Sequence, residues 1–220
     1  MTNKLARTNR TSQFNRSGSV HYRLEQREDG AAAVMLTVDF ERAPTPEHTY
    51  VADFFEISRA ESDVLIVFGK IDLPGAKALR NKIEIYFPFQ PFVYQLWKSS
   101  RQMHELLVKS ATEKGYVAAG TSAITSATDK VQTLATNNAL IVMGGGQCMM
   151  DFFLIAAKDL WIKTRKGDPL NMDALVRVYL NERLLLGFLD RCDAIAQDLV
   201  KELGITFAED NDEDLELVDL

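Results

Sequence analysis

Cysteine and histidine are scarce in this chain, two and three residues among 220. Cys148 and Cys192 are too few and too far apart to make a disulfide framework, and they fit a reducing cytoplasm. His21, His48 and His104 are dispersed, with no Cys-x-x-Cys or His-Glu-x-x-His spacing, so a zinc site is not expected. No Gly-x-Ser-x-Gly elbow occurs. An excess of basic residues is also lacking. Twenty-five Lys and Arg face 31 Asp and Glu, for a net charge of −6 and a pI near 5.2. That balance speaks against a general nucleic-acid binder. The first 20 residues hold no apolar run, so no secretory leader is expected and the cytoplasm is the expected compartment.

What is present is ordinary for a globular chain: 46% hydrophobic and 25% charged residues. A chain of this length buries enough surface to fold without a disulfide or a metal. One long apolar run occurs, Ala139 to Ala157 (ALIVMGGGQCMMDFFLIAA), with Asp151 its only charge. Its length is near that of a membrane span. Gly144, Gly145, Gly146, Gln147 and Asp151 in its middle point instead to a buried element of a soluble core, and no membrane partner is expected.

The ends are polarised. Residues 1–24 carry Lys4, Arg7, Arg10, Arg16 and Arg23 and no acid. The reading is a disordered basic arm over 1–20, whose dispersed charges do not make a nucleic-acid surface. The acidic tail, 205–220, interleaves Leu215, Leu217, Val218 and Leu220 with carboxylates. Such a segment does not fold alone but suits docking into another protein.

Residues 21–114 read as an antiparallel sheet plus helix. Asp29-Gly30 divides two extended runs as a hairpin turn would. Tyr50 to Ile57, Val64 to Ile71 and Asn81 to Phe87 follow as strands, making about five. Phe92 to Lys109 has helical periodicity and reads as the covering helix. The stretch YVADFFEISRAESDVLIVFGKID followed by KIEIYFPFQPFVYQLWKSSRQMHELL resembles a family of short uncharacterised bacterial proteins. The matching positions are Tyr50, Phe68-Gly69, the strand around Ile83 to Tyr86, and Pro88 or Pro91. A Ser-Pro pair frequent in that family is Ser62-Asp63 here. The resemblance spans residues 50–107, implies a sheet-plus-helix unit, and carries over no activity and no functional residue.

Residues 115–128 read as a linker and 129–204 as a helical region. Helices are expected over Asp129 to Met143 and Gln147 to Lys163, and a long one from Pro169, capped by Asp168, to Leu203 before Gly204. The last helix carries a seam of Leu175, Val178, Leu185, Leu189, Leu199 and Leu203, which asks for a partner helix. The expected fold is therefore α+β: an antiparallel sheet of about five strands with a covering helix, then a helical bundle with one long helix.

The sharpest enzyme-like feature is Gly144, Gly145 and Gly146 after an apolar run. As strand, loop and helix, these glycines would cradle a phosphate or nucleotide. They lack both Gly-x-Gly-x-x-Gly and a following Lys-Ser/Thr, and a corner between two helices reads better. No cofactor and no metal are expected. The functional expectation is a non-enzymatic, self-associating protein-binding module, using its helical face and acidic-apolar tail. The alternatives are a phosphate- or nucleotide-binding enzyme, a chaperone-like or antitoxin-like binder, and a structural subunit of a larger assembly.

Overall fold

The computed structural model describes residues 20–26, 32–38, 46, 48–71, 79–119, 131–144, 147–156 and 170–205. Eleven strands and two helical runs are present among them. The strands are β1 (Val20–Gln26), β2 (Ala32–Val38), β3 (His48–Val51), β4 (Phe54–Arg59), β5 (Asp63–Ile71) and β6 (Leu79–Pro88). After the first helix come β7 (Val131–Ala135), β8 (Asn138–Gly144), β9 (Gln147–Phe153), β10 (Leu170–Met172) and β11 (Val176–Asn181).

The first helical run, α1, covers 89–114. It opens with the turn Phe89–Pro91, passes through a π-helical stretch Phe92–Lys98, and continues as the α-helix Ser99–Lys114. Pro88 and Pro91 stop the strand and start the helix, because each lacks the N–H a ladder or helix interior needs. The second helix, α2, is Glu182–Leu203. The Asn181 side chain caps it by accepting from the Leu184 N–H at 2.9 Å. Gly115 and Gly204 end the two runs in the left-handed conformation, φ +68° and +60°.

The strands form three sheets. β1 lies between β10 and β2 in a three-stranded antiparallel sheet. The second sheet has the order β4-β5-β6-β7 and the third β3-β11-β9-β8. Each four-stranded sheet is an antiparallel meander of three strands plus one parallel strand from the other half of the chain. β7 pairs with β6, and β3 pairs with β11. The helices also cross over: the π-helical stretch of α1 lies against β8, and α2 lies against β4.

Among the described residues, the main core cluster joins the two four-stranded sheets and both helices. Phe55 and Phe68 meet Phe188 of α2 at ring centroids of 5.7 and 5.5 Å, and Phe68 meets Phe152 of the third sheet at 6.0 Å. Phe87 and Phe92 pack edge to face at 6.2 Å.

This architecture corrects the expected helical bundle. Residues 131–153 are three strands, β7 to β9, and no bundle exists among the described residues. The reason is burial on both faces. Leu140, Ile141 and Val142, then Met150, Phe152 and Phe153, form a continuous apolar run, and such a run has no period that separates strand from helix. The long helix also starts later than expected. Val176-Arg-Val-Tyr-Leu-Asn181 is a strand with Val176, Val178 and Leu180 buried, and its two-residue alternation fits a half-buried pleat. The single antiparallel sheet expected before residue 90 is also corrected: the expected strand Tyr50 to Ile57 is divided between β3 and β4, the strands belong to three sheets, and β3 pairs parallel with β11.

Candidate interaction surface

The seam residues expected to face a partner are placed differently from one another. Val178 is buried in β11, and Leu185, Leu189 and Leu199 are buried on α2 inside this chain's own core. Leu175 precedes β11 and Leu203 ends α2, and both are exposed. Four of the six side chains are thus occupied within the chain, a burial that local periodicity cannot distinguish from contact with a second chain.

Gly144 closes β8 and pairs with Gln147 at the start of β9, so the element after the glycines is a strand. The helix N-terminus that phosphate binding calls for is not there. Gly145 and Gly146 lie outside the described residues, as do the basic arm and the tail residues Leu215, Leu217, Val218 and Leu220.

Neither thiol is poised as a nucleophile. Burial, with a smaller contribution from the Glu182 charge, pushes Cys148 up to about 11. Burial, helped by Asp193, raises Cys192 well above its ordinary value. Among the described residues no group of three or more His, Cys, Asp or Glu is placed to hold a metal. No helix among them is long and apolar enough to cross a membrane.

Polar chemistry concentrates in two places. On β9 and β11, register partners Asp151 and Arg177 form a two-pronged ion pair, with Nε and a terminal nitrogen each 2.8 Å from a carboxylate oxygen. Asp151 is 1% exposed and the Arg177 side chain 12%. The hydrogen bond to Asp151 raises the guanidinium pKa above its usual value. This pair ties the two strands together.

The second place is the α1–α2 contact. Trp97 Nε1 donates to Asp193 at 2.8 Å, and His104 Nε2 lies 2.7 Å from Asp190 Oδ1. Beside it, Phe55, Ala118, Ala119, Gly187, Asp190, Arg191 and Ala194 line an open cleft of about 310 Å³. The strap 116–119 lies along α2, with Ala119 N–H donating to the Arg183 carbonyl at 3.0 Å and Arg183 Nε to the Val117 carbonyl at 3.1 Å.

Sheet edges separate the surfaces further. β4 and β8 end the two large sheets at corresponding places. β4 is protected: Arg191 of α2 donates to the Ile57 carbonyl, Arg59 pairs with Glu202 at 2.7 Å, and Glu56 adds charge. The π-helical stretch of α1 lies against β8, where Asn138 Nδ2 donates to Gln95 Oε1 at 3.3 Å, but the strand itself carries no charge. It reads Asn-Ala-Leu-Ile-Val-Met-Gly without a charge or a proline, and residues 139–143 are half-buried. Ala139, Ile141 and Met143 pack toward the main core. The sequence showed this stretch as apolar, but its reading as helix hid its place at the end of a sheet.

No family model, no curated protein and no solved structure matches the chain.

Proposed function

We propose that this protein is a non-enzymatic, self-associating protein-binding module whose contact surface is the outer edge of β8. The observation that carries the reading is the contrast between the two end strands. β4 carries Glu56 and Arg59 and accepts from Arg191 of α2, whereas β8, although α1 lies against it, carries no charged residue, and an uncharged end strand is a template for another strand. Seven residues centred on Ile141 can pair antiparallel with a second copy. Asn138 then faces Gly144, Ala139 faces Met143 and Leu140 faces Val142, with no like charges opposed. The acidic-apolar tail is a second contact, toward a different protein.

Light scattering on a dilution series tests the reading. The wild-type chain is expected to associate at both low and high salt, because no ion pairs form the contact. Val142→Lys places a charge on the edge and is expected to give a monomer with an unchanged melting temperature. A wild-type monomer at every concentration refutes the proposal. So does an oligomer indifferent to Val142→Lys.

A further inference from the structure

Two halves of the chain repeat one another in hydrogen bonding, although not in sequence. The Ala52 N–H donates to the Tyr179 carbonyl at 3.0 Å, and the Thr136 N–H to the Tyr86 carbonyl at 2.9 Å. The Asp53 N–H donates to Gly69 and the Asn137 N–H to Phe153. The Ile71 N–H donates to the Asp53 carboxylate at 2.6 Å, and the Ile155 N–H to the Asn137 side-chain oxygen at 2.8 Å. Residues 52, 53, 69 and 71 thus correspond to 136, 137, 153 and 155, always 84 positions on.

The ladders agree. Val64↔Phe87 and Phe68↔Ile83 in one sheet match Cys148↔Leu180 and Phe152↔Val176 in the other. The parallel additions match too, Tyr50↔Val178 with Leu134↔Ile85. Phe68 touches Phe152, its own counterpart. Contact between counterparts, together with i-to-j and j-to-i reciprocity, is the signature of a two-fold interface.

We infer that the chain is two equivalent β-β-β-β-α units fused end to end, and that the surface of each is built to bind another unit of the same design. The first unit is β3 to α1. The second is β7 to α2, with β10 inserted before its last strand and pairing with β1. Each unit donates its first strand to the partner's last strand and its helix to the partner's sheet. Alone, a unit leaves the edge of β6 or β11 unpaired and bares aromatic surface such as Phe55 and Phe68. Its partner is a second unit, supplied here in cis by the connecting segment. This inference stands independently of the β8 edge.

A protease site placed between residues 120 and 130 of the full chain tests it. The uncut protein serves as the control for folding. After cleavage, the two pieces are expected to elute together at a 1:1 ratio. After denaturation and dilution, they are expected to regain the native spectrum at a rate that rises with concentration, as association of two units requires. Separation of the pieces under native conditions overturns the inference. So does refolding at a concentration-independent rate, or failure of the mixed pieces to regain the native spectrum when the uncut chain does.

Discussion

Gly187 sits in the second turn of α2, where the strap 116–119 crosses the helix. A Cβ added there lies 2.2 Å from the Ala119 carbonyl oxygen and 3.2 Å from its carbon. Ordinary contact requires the strap to move by about 1 Å, and the movement is resisted. Ala119 N–H is bonded to the Arg183 carbonyl, and Arg183 Nε to the Val117 carbonyl. Overpacking of this kind costs about 1–3 kcal/mol, and each strained hydrogen bond adds about 0.5–1.5 kcal/mol. Against this, alanine in a helix interior gains about 1 kcal/mol over glycine. The net expectation for Gly187→Ala is destabilisation of about 1–3 kcal/mol. At an open helix position the sign reverses, to a gain of roughly 0.5–1 kcal/mol. Urea unfolding at constant pH reads the difference from the midpoint and slope. A variant more stable than wild type refutes the close crossing of strap and helix. Amide exchange at Ala119 separates local release of the strap from global loss, because release accelerates that amide alone.

Other perturbations follow from the same geometry. Asp151→Ala strands the Arg177 guanidinium and should cost about 3 kcal/mol in urea unfolding, whereas Asp151→Leu with Arg177→Leu should cost much less. Equal losses in the single and double variants would contradict this. Asn137→Ala removes side-chain bonds to both the N–H and the carbonyl of Ile155 and should cost about 2 kcal/mol; Asp53→Ala at the corresponding exposed position should cost less than about 1 kcal/mol. Thermal melts that rank the two the other way would overturn it. Folding holds the Cys148 thiol neutral, raising its pKa from 9.0 to about 11. The unfolded chain therefore releases this proton first. The Cys148 contribution to stability is complete below pH 9 and is lost as pH rises toward 11. Wild type should lose stability faster than Cys148→Ala across that window, as read by urea midpoints; parallel curves would refute the assignment.

The sequence revealed the elements of the first half, because Asn81 to Phe87 alternates and Phe92 to Lys109 follows helical spacing. It did not reveal their pairing. β3 joins β11, more than a hundred residues away, and no local signal encodes that choice. In the second half, the apolar run after Ala139 lacked a period, and Leu175 and Val178 extended the α2 seam backwards across a strand. The duplication was hidden as well. Between residues 50–71 and 134–155 only Ile57/Ile141, Phe68/Phe152 and Ile71/Ile155 are identical. The two units therefore share hydrogen-bond geometry while their side chains have diverged. The uncharged character of 139–144 was plain in the sequence, but its position at a sheet edge is a property of the assembled fold.

The exchanged first strand sets the order of events during synthesis. β3 leaves the ribosome early, yet the strand beside it, Val176–Asn181, is made about 125 residues later. At roughly 5–20 residues per second, that interval is on the order of ten seconds. During it, the face around Phe55 and Phe68 has no α2 to cover it, since Phe188 is still unmade. The nascent first half is thus an exposed apolar surface awaiting its own C-terminus. Closure of α2 onto β4 cannot be completed until the helix has been made through Leu203 and has cleared the exit tunnel.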